Sequence, residues 1–428
     1  MAIDRTLGNI FKGDKVIWMI FFFLCMISIV EVFSASSSLT YKGGSYWAPI
    51  IKHGAILAVG IFFMVVVLNI KCKYFKIVTP FLLLLSFIML ICVHFVGQSI
   101  NGGARWMSVL GIQFQPSEIA KGALVLATAQ ILSAMQTDNG ADHKACKYIL
   151  ITFGFIVAPI VTENLSTAAL IFAVIFLMMF IGRVPWSQLG KILGVITLIG
   201  VFAISFVMVA GNDDRQLADA NGVKVESTQS SMSQPEKKGV AEKVLHRAST
   251  WKTRILKFFD NTEVPPEKFD LDKDAQVGHA NIAIASSNVV GKGPGNSVER
   301  DFLSQAFSDF IYAIVIEEMG IVGAVVVAML YIFLLFRTGI IANRCENVFP
   351  ALLAMGLAIL LVVQALFNML VAVGLAPVTG QPLPLISKGG TSTIINCIYV
   401  GVILSVSRSA KKRALPLNNN QQEELAVA

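Results

Sequence analysis

The chain has 428 residues, of which 55% are hydrophobic and 14% are charged, and its formal net charge is +7. A soluble protein carries about 25% charged residues, so this composition excludes an ordinary soluble enzyme. Repeated apolar runs of about 20 residues instead predict a polytopic membrane protein. Nucleic-acid binding is not indicated, because no basic patch is interleaved with aromatic residues.

Ten apolar runs predict ten transmembrane helices, so the predicted fold class is all-α. The first run is too long for a signal-peptide core and no clear cleavage site follows it, so it is predicted to be retained. The fourth and tenth runs contain the most polar residues. The predicted spans are 16–36, 54–70, 77–96, 116–135, 148–163, 167–182, 190–210, 307–336, 348–376 and 391–408.

Basic residues are concentrated on one side of the predicted membrane. The short loops on one side carry only Lys42, Lys52 and Arg105. The positive-inside rule therefore places both termini in the cytoplasm and the protein in the cytoplasmic (inner) membrane. The predicted inner segments carry Arg5, Lys12, Lys15, Lys71, Lys73, Lys76, Lys144, Lys147, Arg183, Lys191, Arg337, Arg344, Arg408, Lys411, Lys412 and Arg413.

A large periplasmic loop lies between the seventh and eighth spans. Its residues 240–260 predict an amphipathic helix that either lies in the membrane interface or packs on the protein. Residues 276–290 are apolar but too short to span a membrane. The predicted regions are 1–210 for the first seven helices, 211–306 for the loop, 307–410 for the last three helices and 411–428 for a cytoplasmic tail.

The six cysteines and five histidines form no recognisable site. No cysteine lies in the long loop, so no disulfide framework is predicted. No Cys/His spacing resembles a zinc site, so no metal site is predicted at these residues.

Three polar insertions interrupt the outer side of the predicted helices. The first, Asn101–Lys121, includes Pro116, which suits the first turn of a helix. The second, Gly291–Glu318, leads from a glycine-rich turn into the eighth span. The third, Pro377–Ser392, contains three prolines and three glycines. It therefore cannot be a continuous helix, and it predicts a re-entrant loop.

Asp309 is the leading candidate for a catalytic residue. A carboxylate at the mouth of a membrane segment costs free energy unless water, a partner or a substrate meets it. Two interpretations stay open from the residues alone. Asp309 is either a general base or, like Ser308 beside it, the N-cap of the eighth helix.

Three cations are candidate contacts for phosphate oxygens: Arg105, Lys121 and Lys388. The Arg105 guanidinium can bind two oxygens at once, whereas each lysine is a point charge. Glu118 lies three residues before Lys121, so a local ion pair is the competing interpretation for that lysine.

Other polar side chains have less specific signals. Trp106 either stacks on a sugar or anchors at the membrane interface. Ser387 lies in the third insertion, and its hydroxyl is a candidate substrate contact. Asp301 orients Asp309, helps to hold a divalent cation such as Mg²⁺ or Mn²⁺, or is an ordinary solvated loop residue. No organic cofactor is implied.

Four polar residues lie inside the last predicted helices. Glu317 and Glu318 are costly in a membrane unless they are paired, and a structural tie between helices is the favoured interpretation. Gln364 and Asn368, at positions i and i+4, are candidates for hydrogen bonds between helices.

The stretches Asn101–Lys121, Gly291–Gly320 and Thr379–Ser392, taken in this order, closely resemble the SEDS family of cell-wall proteins, which includes FtsW and RodA. The similarity begins at Phe33–Ser36 and continues to the last helix. The element Gly295–Val298 looks more like FtsW, the division member, than RodA, the elongation member.

This resemblance implies a ten-helix peptidoglycan glycosyltransferase that polymerises lipid II, using an undecaprenyl-pyrophosphate-linked glycan, in septal cell-wall synthesis. It implies a class B penicillin-binding transpeptidase (FtsI-like) and other divisome membrane proteins as partners. The family requires an acidic residue in a Thr-Asp-Phe setting, which matches Asp309. Because the donor linkage is α and the new bond β, the reaction should invert and should need one base.

The chain departs from the family pattern in places. Asn164 replaces an aspartate in Glu163–Thr167, so no catalytic role is assigned there. The family's Ser-Tyr-Gly-Gly appears as Ser387–Gly390, which leaves the role of Lys388 open. Two other functions stay open: a lipid II flippase, for which inverted repeats and a midplane charge are not evident, and a non-catalytic divisome scaffold.

Overall fold

The computed structural model describes residues 12–35, 47–100, 103–109, 112–138, 140–210, 275–303 and 308–410. The amphipathic helix predicted at 240–260 lies outside these residues. The α-helices are α1 (Lys15–Ala35), α2 (Ala48–Leu68), α3 (Cys72–Val96), α4 (Pro116–Ala134), α5 (His143–Glu163), α6 (Leu165–Ile181), α7 (Trp186–Ala210), α8 (Ala275–Ala285), α9 (Ile311–Asn343), α10 (Val348–Ala372) and α11 (Thr391–Ser409).

A helix is present at each predicted span, and α8 is an additional short helix. Seven of the described helices are long and apolar enough to cross a membrane: α1, α2, α3, α5, α9, α10 and α11. The apolar parts of α6 and α7 are shorter, and α4 is less apolar because it carries Glu118 and Lys121. The protein is therefore an α-helical, multi-pass membrane protein, and the number of ten crossings stays a prediction.

Within the described residues, five short strands lie between helices, and none of them was predicted from the sequence. β1 (Gln98–Ile100), β2 (Gly103–Val109) and β3 (Ile112–Phe114) form an antiparallel sheet in the first polar insertion. β4 (Gln136–Thr137) pairs with β5 (Gly140–Ala141) in the next connection. Each pairing is antiparallel and between neighbours in sequence, so short turns suffice to join the strands.

The centre of the bundle is formed by α4, α10 and α11, most of whose side chains are buried. Glycines allow α2 and α11 to approach closely. A Cβ atom on Gly401 would lie 2.7 Å from Met64 O, and one on Gly60 would lie 2.8 Å from Cys397 Sγ. Small residues at a helix crossing are the usual means of close packing in membranes, because the backbones can then touch.

α9 is broken at Gly320, whose φ of 68° is not helical. The segment before and after Gly291, which also has a positive φ of 82°, lies against this break. Lys292 N donates to Glu317 O at 2.9 Å, and Gly293 N donates to Glu318 O at 2.8 Å. These bonds satisfy carbonyl groups that the break leaves without helical partners, so the break costs less free energy than an isolated one.

Candidate active site

The Asp309 side chain is half-buried in the turn that precedes α9. Ser308 Oγ donates to Asp309 Oδ1 at 3.0 Å. The N-cap position of α9 is Phe310, which makes no side-chain capping bond. Asp309 therefore lies one residue before the N-cap, and the interpretation of Asp309 or Ser308 as the N-cap residue is wrong.

α10 holds the main chain of this turn. Asn368 Nδ2 donates to Asp309 O at 2.8 Å and also to Gln381 O at 2.8 Å. One amide group thus joins the catalytic candidate to the third polar insertion. The predicted role of Asn368 in hydrogen bonding between segments is confirmed.

The second amide on α10 reaches Lys121. Gln364 Oε1 accepts from Lys121 Nζ at 2.6 Å, and Gln364 Nε2 donates to Pro382 O at 3.0 Å. Because Gln364 and Asn368 are four residues apart, they lie on one face of α10. We call the connected set Asp309, Asn368, Gln381, Gln364 and Lys121 the central polar network.

Lys121 is 1% exposed. Its ammonium lies 2.8 Å from Glu118 Oε1, so the local ion pair anticipated as the competing interpretation is present. This contact lies outside hydrogen-bond geometry, and both Glu118 oxygens lack a hydrogen-bond partner among the described residues. Contact between Lys121 and a phosphate would therefore require the ammonium to leave Gln364 or Glu118.

The network continues to the start of α6. Gln381 Nε2 donates to Thr167 Oγ1 at 2.8 Å. Asn164 is the N-cap of α6, and its side-chain oxygen accepts from Thr167 N at 3.2 Å. Asparagine and aspartate suit this position about equally, so the cap is kept where the family has an aspartate.

Ser387 is buried and supports the Asp309 turn. Its Oγ donates to Ser308 O at 2.6 Å and accepts from Leu383 N at 2.7 Å. Since its single proton is already donated, the geometry favours a positioning role over donation to a substrate.

Lys388 lies on the other side of the same loop, towards α1 and α2. Burial and the neighbouring Lys52 ammonium lower the pKa of Lys388. Ser28 Oγ on α1 donates to Ile386 O at 2.8 Å, and His53 Nε2 on α2 lies 2.8 Å from the same hydroxyl. An anion bound beside the two ammonium groups would offset both effects and favour the charged form of Lys388.

The remaining predicted site residues lie on β2 and in the helical turn at residues 299–301. Trp106 is half-buried on β2, and Arg105 precedes it on the same strand. The Asp301 side chain is 48% exposed and lies 3.7 Å from Arg300 Nε. Within the described part of the chain, no group of three or more His, Cys, Asp or Glu residues could hold a metal ion. A divalent cation at Asp301 stays a prediction.

The three polar insertions do converge. Thr391 Oγ1 donates to Gln113 O at 3.2 Å, which joins the third insertion to the first. The bonds of Ser387 and Asn368 join the third insertion to the Asp309 turn. These contacts bring the three insertions together.

A second polar cluster surrounds Glu317 and Glu318, and we call it the glutamate dock. Glu317 Oε1 accepts from Lys292 Nζ at 2.6 Å and from Val298 N at 3.1 Å. Glu318 accepts from Gly295 N at 3.0 Å, from Ser297 N at 3.3 Å and from the Ser34 hydroxyl. The predicted structural tie is confirmed, and its partner is the glycine-rich segment together with α1.

A family model described as "Cell cycle protein", which groups FtsW, RodA and SpoVE, matches residues 14–412. The chain belongs to this family. An FtsW/RodA/SpoVE relative from Halomonas elongata, named probable peptidoglycan glycosyltransferase FtsW, is 28% identical over 404 residues, covering 92% of this chain and 90% of the relative. Peptidoglycan glycosyltransferase MrdB of Escherichia coli K12 is 26% identical over 357 residues, covering 83% and 84%.

Solved structures of the FtsW/RodA/SpoVE type have the same fold. A chain from a peptidoglycan synthase complex has a TM-score of 0.66 at 22% identity, covering 94% of this chain and 99% of that one. The rod shape determining protein RodA of Thermus thermophilus has a TM-score of 0.61 at 21% identity, covering 95% and 100%.

Sequence reasoning missed several members of this FtsW/RodA/SpoVE site. Gln381 and Thr167 have no signal in the sequence beyond their positions in the third insertion and in Glu163–Thr167. Glu31 on α1 was not noticed, although it is fully buried and neither of its oxygens has a hydrogen-bond partner among the described residues. A glutamate inside an apolar run was the available signal for Glu31.

Proposed function

We propose that this FtsW/RodA/SpoVE protein is a peptidoglycan glycosyltransferase that polymerises lipid II during septal wall synthesis, with Asp309 as the general base. Curated relatives that cover most of this chain carry the name peptidoglycan glycosyltransferase. The family resemblance assigns its required acidic residue to the position of Asp309.

The observation that carries the proposal is the way the Asp309 turn is held. Asn368 binds Asp309 O, and Ser387 binds Ser308 O, from two different segments. Both bonds engage the main chain, so they fix the position of the turn through atoms other than the carboxylate oxygens. A general base must be held within about 0.5 Å of its productive position, and main-chain bonds from rigid elements achieve this.

In the proposed reaction, Asp309 accepts the proton of a sugar C4 hydroxyl while that oxygen attacks C1 of the lipid-linked chain. The bond between C1 and the pyrophosphate oxygen breaks, and the pyrophosphate leaves with both electrons. Cations near the leaving group stabilise the charge that develops on it. Lys388 and Arg105 are our candidates for this role, and Lys121 takes part only after a rearrangement of its contacts.

The proposed setting is the cytoplasmic membrane with both termini inside, so that Asp309 faces the periplasm. A class B penicillin-binding transpeptidase is the proposed partner. A structure similar to this chain is a peptidoglycan synthase complex that coordinates polymerization and crosslinking, which supports such a partner. No organic cofactor is proposed, and dependence on Mg²⁺ or Mn²⁺ is a matter for assay.

The test is polymerisation of lipid II by the purified protein with its transpeptidase partner. Asp309→Asn should reduce the rate by about 10²–10⁴-fold, which is the usual contribution of a general base. Asp138→Asn, an exposed aspartate in the turn between β4 and β5, is the matched control and should stay near native.

Each other outcome has a definite meaning. Full activity of Asp309→Asn would exclude Asp309 as the base. Movement of lipid II across the membrane without glycan product would favour a flippase. Absence of any product from the native complex, with partner binding retained, would favour a scaffold.

A further inference from the structure

A cavity of about 410 Å³ lies at the end of the bundle opposite to Asp309. It is formed where α3 begins, where α9 and α10 are joined, and where α11 ends. Its volume lies within the range of about 300–1,000 Å³ that is typical of small-molecule sites. The residues that matter for its charge are Lys71, Lys73, Arg408 and Glu346.

Three cations meet one carboxylate in this cavity. Among the described residues, no salt bridge joins Lys71, Lys73 or Arg408 to an acidic side chain. Arg408 makes only long contacts of 3.5 Å with Asn69, and Lys73 Nζ lies 5.1 Å above the ring of Tyr74. The cavity therefore has a positive charge that is not neutralised within the described structure.

A neighbouring arginine at the same end of the bundle shows the contrast. Arg337 on α9 binds both carboxylate oxygens of Asp14, with a shortest distance of 2.7 Å. The excess of Lys and Arg at this end, which the positive-inside rule requires, does not by itself explain why three cations line one cavity. Lys71 precedes α3 and Arg408 lies in α11, so the two residues are far apart in the sequence and only folding brings them together.

Polar groups complete the lining. Ser409 Oγ lies 3.5 Å from Cys72 Sγ, and Ser405 Oγ donates to Ile70 O at 2.6 Å. Asn347 adds an amide group to the wall. The Ser405 and Ser409 hydroxyl protons are already donated, to Ile70 O and Val406 O, so of these three side chains it is the Asn347 amide that can donate to a phosphate oxygen.

Apolar surface lies directly beside these polar groups. Tyr74 and Ile77 on α3 are 47% and 61% exposed, and Val348 at the start of α10 is 41% exposed. In a membrane-spanning protein these side chains face lipid, so the cavity lies where a headgroup and its acyl chains meet. A basic cavity between helix ends at this depth matches the known pattern of anionic lipid recognition.

We propose that this cavity binds the phosphodiester headgroup of an anionic membrane phospholipid, whose acyl chains lie along α3. The phosphate contacts Lys71, Lys73 and Arg408, while Glu346 disfavours a second anion. The site is separate from the proposed catalytic network and does not depend on its assignment.

Binding is tested on the full-length protein in neutral detergent, by native mass spectrometry with phosphatidylglycerol, with phosphatidylcholine of the same acyl chains, and with inorganic phosphate. The native protein should retain phosphatidylglycerol in clear preference to the other two probes. Each cation near a lipid surface contributes roughly a five-fold gain in affinity, so Lys71→Gln/Lys73→Gln/Arg408→Gln should bind about 100-fold more weakly.

The matched control is Lys144→Gln/Lys147→Gln, which removes two exposed cations from α5 at the same end of the bundle. It should bind phosphatidylglycerol as the native protein does. Arg408→Gln alone should weaken binding about five-fold, and it keeps the test decisive if the triple variant does not fold.

Three results would overturn the proposal. They are undiminished phosphatidylglycerol binding by folded Arg408→Gln and triple variants, equal binding of phosphatidylcholine, and inorganic phosphate binding as tight as that of the lipid. The last result would assign the cavity to a soluble anion instead.

Discussion

The glutamate dock and the central polar network are two buried polar clusters in one membrane protein, and they differ in how completely their groups are satisfied. In the dock, the Glu317 and Glu318 carboxylates each accept several hydrogen bonds. In the network, Asn368 Oδ1 and Gln381 Oε1 have no hydrogen-bond partner among the described residues.

This difference separates a structural cluster from one suited to bind a ligand. Buried polar groups in folded proteins are nearly always paired, because an unpaired group loses water without compensation. The dock follows this rule and holds the broken helix together. The network departs from it at two buried amide oxygens close to the catalytic candidate.

The largest effect on the dock should come from Gly320→Ala. A Cβ atom there would lie 2.3 Å from Val289 O, at a φ of 68°. Backbone strain and the clash together should cost about 3–5 kcal/mol, measured as the loss of thermal stability in detergent. Gly295→Ala is the matched control, since its φ is 83° but no atom lies within 4 Å. Equal losses in the two variants would contradict the close approach.

Glu317→Gln should have the next largest effect on stability. It removes the charge that binds Lys292 at 2.6 Å, so we expect a loss of about 2 kcal/mol in stability. The polymerisation rate of the folded fraction should stay near native, because the dock has no proposed contact with substrate. A large rate loss at unchanged stability would show that the dock takes part in the reaction.

In contrast to Glu317→Gln, Asn368→Leu should affect the reaction rate more than the stability. Its stability loss should be about 1–2 kcal/mol, because two main-chain oxygens lose one donor each. Its kcat should fall about ten-fold or more, with a small change in KM, because Asp309 is displaced. Asn69→Leu, which changes an asparagine at the C-terminal end of α2, is the control and should keep the native kcat. If kcat for Asn368→Leu stays native, Asn368 does not position Asp309.

Glu31→Gln should have the smallest effect. The Glu31 carboxyl is fully buried without a hydrogen-bond partner in the described structure, and it interacts electrostatically with Glu318. Removing such a charge should leave stability within about 1 kcal/mol or raise it. A melting temperature as low as that of Glu317→Gln would mean that Glu31 has a stabilising partner beyond the described residues.

The helices and part of the site were predictable from local patterns. Apolar runs located each helix except the short α8, and the spacings of Glu118 with Lys121 and of Gln364 with Asn368 indicated their faces. The break at Gly320 was not predictable, since hydropathy does not report a single φ angle. The contact of Ser387 with Ser308, like the sheet at 98–114, depends on distant pairing that one sequence does not reveal.

Gly291 and Gly320, which meet at the break in α9, depend on each other for their close approach. Alanine at Gly291 would meet the backbone at Glu318 and Gly320, and alanine at Gly320 would meet the backbone at Val289 and Gly291. Once one is lost, the close approach is already gone, so losing the other should cost far less than it would alone. The variant that carries both alanines should therefore lose less stability than the sum of the losses of the two single variants.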